Sequence, residues 1–256
     1  MGTLIKNTAH HLDPVLFAKD NFNFEADEWQ ADVLRSSDKK IILNCCRQSG
    51  KSTITAIMAT HRAIFFPGSL ILVVSPSQRQ SGELFKKVSQ LIGELSEQPK
   101  KVEDNRLSVT FGNDSRIVSL PSQEQTVRGF SSPSLIIVDE ASRVSDPLYF
   151  AIRPMLAVSK GQLILLSTPF GRRGFFYNEW NSDDPNWKKV FITAAECSRI
   201  TPEFLEDERR VLGEWFYDQE YLCQFKENVD SVFTIEQIES AIDYDLEPWN
   251  FAAAAK

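Results

Sequence analysis

The chain has 256 residues, 42% of them hydrophobic and 25% charged, the proportions of an ordinary globular protein long enough to bury a substantial core. Its formal charge of −7 argues against a protein that coats nucleic acid over its whole surface, while leaving room for local basic contacts. No apolar run reaches the ~20 residues of a membrane span, and the first residues lack the basic and apolar regions of a secretory leader. The four cysteines, Cys45, Cys46, Cys197 and Cys223, form no Cys-x-x-Cys pair and read as reduced structural thiols. Three histidines make no convincing metal site, and His10-His11, near a chain end, reads as solvated.

Short apolar runs alternate with longer amphipathic segments. Ile41 to Cys45 is expected to be a buried strand, followed by a helix over Ser52 to Phe66 that Pro67-Gly68 stops. Leu70 to Val74 is a second buried strand. From Gln78 to Glu97, Leu84, Val88, Leu91 and Leu95 mark one helical face. Leu107 to Phe111 and Arg116 to Leu120 flank Gly112-Asn113-Asp114 as a hairpin. Leu135 to Val138 and Leu163 to Leu166 are two more buried strands, which implies a mostly parallel central sheet flanked by helices. Beyond Gly171 the pattern changes. Trp187 to Thr193 reads as a strand and Pro202 to Phe225 as mainly helical. The expected organisation is a core over residues 1–170, a small C-terminal lid subdomain over 171–230 and a connector over 231–251. Residues 252–256 read as an appended tail and are set aside.

Three elements carry chemistry. Arg47-Gln48-Ser49-Gly50-Lys51-Ser52 lies between a strand and a helix, the order a phosphate cradle needs. Gly50 permits close backbone approach, Lys51 reaches the β- and γ-phosphates, and Ser52 offers a hydroxyl to Mg²⁺. The first glycine of the usual pattern is replaced by Cys45. Ile137-Val138-Asp139-Glu140 ends a buried strand in two carboxylates, an arrangement too costly unless a cation or water receives them. Asp139 is expected to hold Mg²⁺ and Glu140 to polarise an attacking water. Ser167-Thr168-Pro169 closes a strand where ligands sit in open α/β sheets, and is expected to couple phosphate loss to the following loop. Together these elements predict the α/β fold of a P-loop NTPase of the ASCE type, with ATP and Mg²⁺ as the expected ligands.

Upstream, Trp29-Gln30, preceded by Phe22 and Phe24, offers an aromatic platform and an amide for adenine; a core Trp beside an exposed Gln is the plainer alternative. Trp29, Gln30, Gln48, Ser49, Gly50, Lys51, Ser52 and Thr53 are thus the expected ATP-binding set. Arg47 stands inside the phosphate loop. Arg128, in Thr126-Val127-Arg128-Gly129, is either an arginine that neutralises transition-state charge on a neighbour's nucleotide or a surface arginine beside a turn glycine. Arg172-Arg173 is a weaker candidate for DNA or subunit contact.

These residues, with Gln219-Glu220-Tyr221 to Phe225 and Ser231-Val232-Phe233, resemble the large terminase subunit of tailed bacteriophages over roughly residues 20–235. The resemblance implies the ATPase motor of a DNA-packaging machine, driving double-stranded DNA into a procapsid. It also implies a homo-oligomeric ring (pentameric in the family, or a monomer in isolation), a portal and a small terminase subunit as partners, no membrane, and the host cytoplasm. On that footing Lys51, Ser52, Asp139 and Glu140 form the ATPase site, Arg47 contacts phosphate, and Arg128 is the trans-acting finger. The family's nuclease half is not matched, so no nuclease activity is expected. A strand-separating helicase-like translocase and a nucleotide switch without turnover are the alternatives.

Overall fold

The computed structural model describes residues 2–121, 127, 129–227, 237 and 240–242. Three helices come first, α1 (Gly2–Leu12), α2 (Pro14–Phe22) and α3 (Glu28–Arg35). Strand β1 (Lys40–Cys45) then leads into α4 (Lys51–Phe65), β2 (Leu70–Ser75) and α5 (Gln78–Glu94). After β3 (Lys101–Asn105), β4 (Ser108–Phe111), β5 (Arg116–Pro121) and β6 (Leu135–Asp139) come α6 (Asp146–Ile152), α7 (Met155–Ser159) and β7 (Gln162–Ser167). Helix α8 (Gly174–Asn181), strand β8 (Trp187–Ile192) and helix α9 (Pro202–Glu220) follow.

The eight strands form one sheet in the order β3-β4-β5-β2-β6-β7-β1-β8. From β5 to β8 the neighbours run parallel, whereas β3 and β4 join antiparallel at one edge. The uninterrupted Ile/Leu/Val runs explain this: β1, β2, β6 and β7 are buried almost throughout, which requires cover on both faces. Side chains alternate between two cores. Ile41, Leu43, Ile137, Ile164 and Leu166 meet Phe17, Val33, Ile54, Ile57 and Leu84 from α2 to α5. Ile42, Ile136, Val138, Leu163 and Leu165 meet Leu148, Tyr149, Phe175 and Phe176 from α6 and α8. Helix starts are set locally: Asp13 Oδ1 accepts from the Val15 amide, Ser77 from Gln80 and Thr201 from Phe204.

Three features depart from the sequence reading. β3 is exposed along its length and carries no apolar alternation that could betray it. β8 pairs in parallel with β1, so the central sheet continues past the boundary expected at residues 170/171. His10 is 4% exposed rather than solvated. Its Nε2 lies 2.9 Å from Asp20 and its ring meets Phe17 edge-on. Next to it, burial pushes the His61 pKa down to about 4, while its Nε2 hydrogen-bonds with the His10 carbonyl oxygen at 2.8 Å. All four cysteines are free and buried. The connector, apart from residues 237 and 240–242, and the appended tail lie outside the described residues. No helix among the described residues is long and apolar enough to cross a membrane.

Gly161 turns the chain from α7 into β7, and a methyl group there would collide with the Pro133 carbonyl oxygen and the Leu156 side chain. Gly161→Ala is expected to destabilise the fold by about 1–3 kcal/mol, read as a lower denaturation midpoint at unchanged slope. An unchanged midpoint would mean the turn has slack that its backbone contacts conceal.

Candidate active site

Because the parallel strands end together, their C-terminal residues share one edge of the sheet. β7 lies between β6 and β1, with Asp139 opposite Leu166 and Asn44 opposite Ser167. Asp139-Glu140, Ser167-Thr168-Pro169 and the 46–50 loop are thereby brought side by side.

The loop turns at Gln48 (φ 60°) and Gly50 (φ 92°), after which α4 begins at Lys51. A side chain at position 50 would be strained by that φ and would meet Gln30 Nε2 at 2.6 Å. Lys51 is 7% exposed, and its Nζ donates to the carbonyls of Cys45 (2.7 Å) and Cys46 (2.6 Å). Ser49 Oγ donates to the Cys46 carbonyl at 3.0 Å, and the Thr53 amide to the Gly50 carbonyl at 3.0 Å. Ser52 stands half-buried in the first turn of α4.

Gln30 is not the exposed residue of the plainer alternative. It is buried, with Oε1 accepting from the Asp27 amide and Nε2 donating to the Ser49 carbonyl, both at 3.0 Å. Its amide therefore braces the loop. Trp29 packs half-buried against the first core. Phe22 and Phe24 line a cavity of about 340 Å³ together with Thr53, Ala56, Lys87 and Gln90. Arg199 adds a second brace that the sequence did not announce: it grips Asp27 through two hydrogen bonds (3.0 and 2.7 Å) and donates to the Ser49 carbonyl at 3.1 Å.

On the acidic side, burial and then the neighbouring Glu140 push the Asp139 pKa up to about 7, against the opposing pull of Lys51. A Ser52 hydroxyl and an Asp139 carboxylate suit Mg²⁺, which takes one or two protein oxygens and completes its shell with phosphate and water. Glu140 sits in the left-handed region (φ 49°) and accepts from Ser167 Oγ at 3.4 Å. Ser142 Oγ lies 2.7 Å from Ser167 Oγ and donates to the Thr168 carbonyl at 2.9 Å, tying Ser167-Thr168 to the acidic strand's exit. Arg143 stacks 4.1 Å above Phe170, with Nε 4.0 Å from Glu140 and an Nη 3.8 Å from Glu220. The Arg47 amide donates to the Glu220 carbonyl at 3.1 Å, and its Nε stands 2.8 Å from Glu220 Oε2.

Ser142 and Arg143 were findable from their place just after Glu140; Glu220 was named only within the segment Gln219-Glu220-Tyr221 to Phe225, and its contact with the loop, distant in sequence, was not findable. Arg128 lies outside the described residues, and its neighbour Val127 is fully buried in the second core. Of the arginine pair after Pro169, Arg172 is engaged within the chain, donating to the Phe225 carbonyl at 3.2 Å and facing Glu227 at 3.8 Å.

Asp139 has a testable thermodynamic signature. Its folded pKa of about 7 lies above the ordinary 3.8, so the folded state holds its proton through that window and loses stability as pH rises across it. Without nucleotide, Asp139→Asn is expected to raise the melting temperature at about pH 8 and to raise it less at about pH 5. A lower melting temperature at the higher pH would show that contacts to the carboxylate outweigh its burial.

Comparison with known proteins agrees with this geometry. The chain matches the family described as terminase large subunit, T4likevirus-type, N-terminal, over residues 42–240. It is 24% identical over 240 residues to the terminase large subunit of Thermus phage G20c, covering 80% of this chain and 50% of that protein. The large terminase ATPase domain of Thermus phage P74-26 shares the fold, with a TM-score of 0.71 and 21% identity over 84% of this chain and 100% of that one. So does the large terminase of a thermophilic bacteriophage in complex with ATP-γ-S, with a TM-score of 0.61 and 16% identity over 78% and 53%. The chain spans about half the length of the curated relatives it matches. The family match takes in the phosphate loop, Asp139-Glu140 and Ser167-Thr168-Pro169, and the chain belongs to the N-terminal family of T4likevirus-type terminase large subunits.

Proposed function

We propose that this chain hydrolyses ATP with Mg²⁺ and, as part of a large terminase, converts the hydrolysis into movement of double-stranded DNA into a procapsid. The observation that carries this reading is the meeting of the Lys51 loop, Asp139-Glu140 and Ser167 at the ends of β1, β6 and β7.

In this reading Lys51 exchanges its two loop carbonyls for the β- and γ-phosphates, while the loop's backbone N–H groups cradle the phosphates. Gln48, Ser49, Gly50 and Thr53 shape that cradle, with Gln30 and Arg199 holding it from behind. The base lies in the cavity beside Phe22, Phe24 and Thr53, to which Trp29 contributes only support. Ser52 and Asp139 hold the metal, which supplies charge neutralisation for the phosphates. Glu140 orients and polarises the attacking water. Arg47 contacts phosphate in cis, and Arg128 acts on the neighbour's nucleotide in a homo-oligomeric ring, pentameric on the family pattern. Ser167, Thr168 and Pro169 pass the state of Glu140 to the Phe170–Arg173 loop through Ser142. The lid is the segment around α9, whose last residue touches the phosphate loop. A portal and a small terminase subunit are the partners, and the host cytoplasm is the setting.

Glu140→Gln is expected to cut steady ATP hydrolysis by about 100-fold or more while leaving ATP binding intact, as loss of a general base does. Near-normal turnover would remove Glu140 from that role. Arg128→Ala subunits, mixed with Glu140→Gln subunits under assembling conditions, are expected to regain part of the lost hydrolysis, because each completes the other's site. No recovery in an assembled mixture would exclude a trans role for Arg128.

A further inference from the structure

At the edge of the sheet opposite the active site, where β6 and β7 begin, a recess of about 430 Å³ opens between the last turns of α3, α4 and α7. Arg35, Lys39, Arg62 and Lys160 line it, and no aspartate or glutamate among the described residues does, in a chain whose net charge is −7. Asp13, just outside, answers Arg35 through two hydrogen bonds (3.0 and 2.7 Å). No described carboxylate pairs with the other three cations. Arg62 is half-buried, and desolvation pulls its guanidinium below the usual arginine pKa with no partner charge to raise it. It stands 4.9 Å from the Phe66 ring centroid and spends one N–H donor, on Gln162 Oε1 at 3.3 Å. Gln162 is pinned in turn, its Nε2 donating to the Ser36 (3.4 Å) and Asp38 (2.8 Å) carbonyls. The helix ends that meet here each carry only about half a negative charge, too little to balance three unpaired cations.

We propose that this recess binds a free phosphate-class anion, held by the Arg62 guanidinium with Lys39 and Lys160 supplying further charge. A guanidinium presents a planar fork of donors that matches two oxygens of a phosphate, and lysine ammonium groups add mobile point charges around it. The half-buried setting of Arg62 strengthens that attraction over what an open surface would give. A recess of this size between helix ends admits phosphate or pyrophosphate with its water. The site is separate from the phosphate loop: Arg62 follows Lys51 on α4 by about three turns, ~16 Å along the helix axis. An anion here offsets the cost of burying an unpaired charge and, by binding only the folded chain, stabilises it. The inference is independent of the ATPase reading above.

Equilibrium dialysis of the full chain against radiolabelled inorganic phosphate, with sodium chloride holding ionic strength constant, tests it. One saturable site is expected to persist in Lys51→Ala, which removes the phosphate loop's lysine. In that background Arg62→Gln is expected to weaken binding about 10-fold or more, the cost of losing a charged hydrogen-bonding group. Arg62→Lys should recover part of the loss. Lys39→Gln and Lys160→Gln remove exposed side chains that no core residue depends on, so they decide the matter even if Arg62→Gln folds poorly; each is expected to weaken binding about 3-fold or more. Lys101→Gln, on the distant strand β3, is expected to change it less than 2-fold. Binding that disappears with Lys51→Ala, or that falls equally in Lys101→Gln, would overturn the proposal. Displacement of the labelled phosphate by a short DNA duplex at matched phosphate concentration, sensitive to Arg62→Gln, would reassign the recess to a nucleic-acid backbone and overturn the free-anion assignment.

Discussion

The site depends on the parallel pairing of β7 with both β6 and β1. That pairing sets Asp139 one strand from Ser167 and Ser167 one strand from the phosphate loop, and no local feature of the three motifs could do so alone. A slip of one residue would turn every side chain of β7 to the opposite core and move Ser167 away from Glu140. The register is held by burial on both faces: Ile164 and Leu166 fill one core, Leu163 and Leu165 the other. Hydrophobic packing here is the device that positions polar groups.

The polar groups in turn satisfy one another in pairs. Lys51 spends its protons on Cys45 and Cys46 carbonyls, Arg47 leans on Glu220, and Glu140 borrows a hydroxyl from Ser167. Asp139 is the exception; burial beside Glu140 drives it toward the neutral form, which makes it the group with most to gain from a divalent charge. Bracing from behind works differently. Gln30 and Arg199 both bind the Ser49 carbonyl and both engage Asp27, so together they fix the loop.

The strands of the central sheet, the helices after β1 and β2, and the three motifs were legible because each is local: a continuous apolar run, a helical stripe, a loop of fixed spacing. What escaped reading was non-local or patternless. β3 is exposed along its length, with Val102 as its single apolar residue, and exists by pairing with β4. β8 lies at the far edge of the sheet beside β1, a neighbour no periodicity identifies. The contact of Gln30 with the Ser49 carbonyl crosses the fold and has no sign in the aromatic residues that precede it in sequence. Glu220 belongs to the resembling segment Gln219-Glu220-Tyr221 to Phe225, but its place beside the loop comes only from Arg47 and Arg143 converging on it.

The missing first glycine of the phosphate loop has a structural reason within the same geometry. A glycine is needed where the backbone enters the left-handed region, and Cys45 does not: it is the final residue of β1, fully buried, with only its carbonyl facing the loop interior. Burial lifts the Cys45 thiol pKa to about 12, so it stays neutral and behaves as a small apolar core residue. The positive φ angles fall instead on Gln48 and Gly50. Gln48 takes the less comfortable of the two tasks for an L-residue, at a cost on the order of 1 kcal/mol or more that the surrounding hydrogen bonds must offset. Moving the turn downstream leaves Arg47 at the point where the loop meets α9, with its Nε 2.8 Å from Glu220 Oε2.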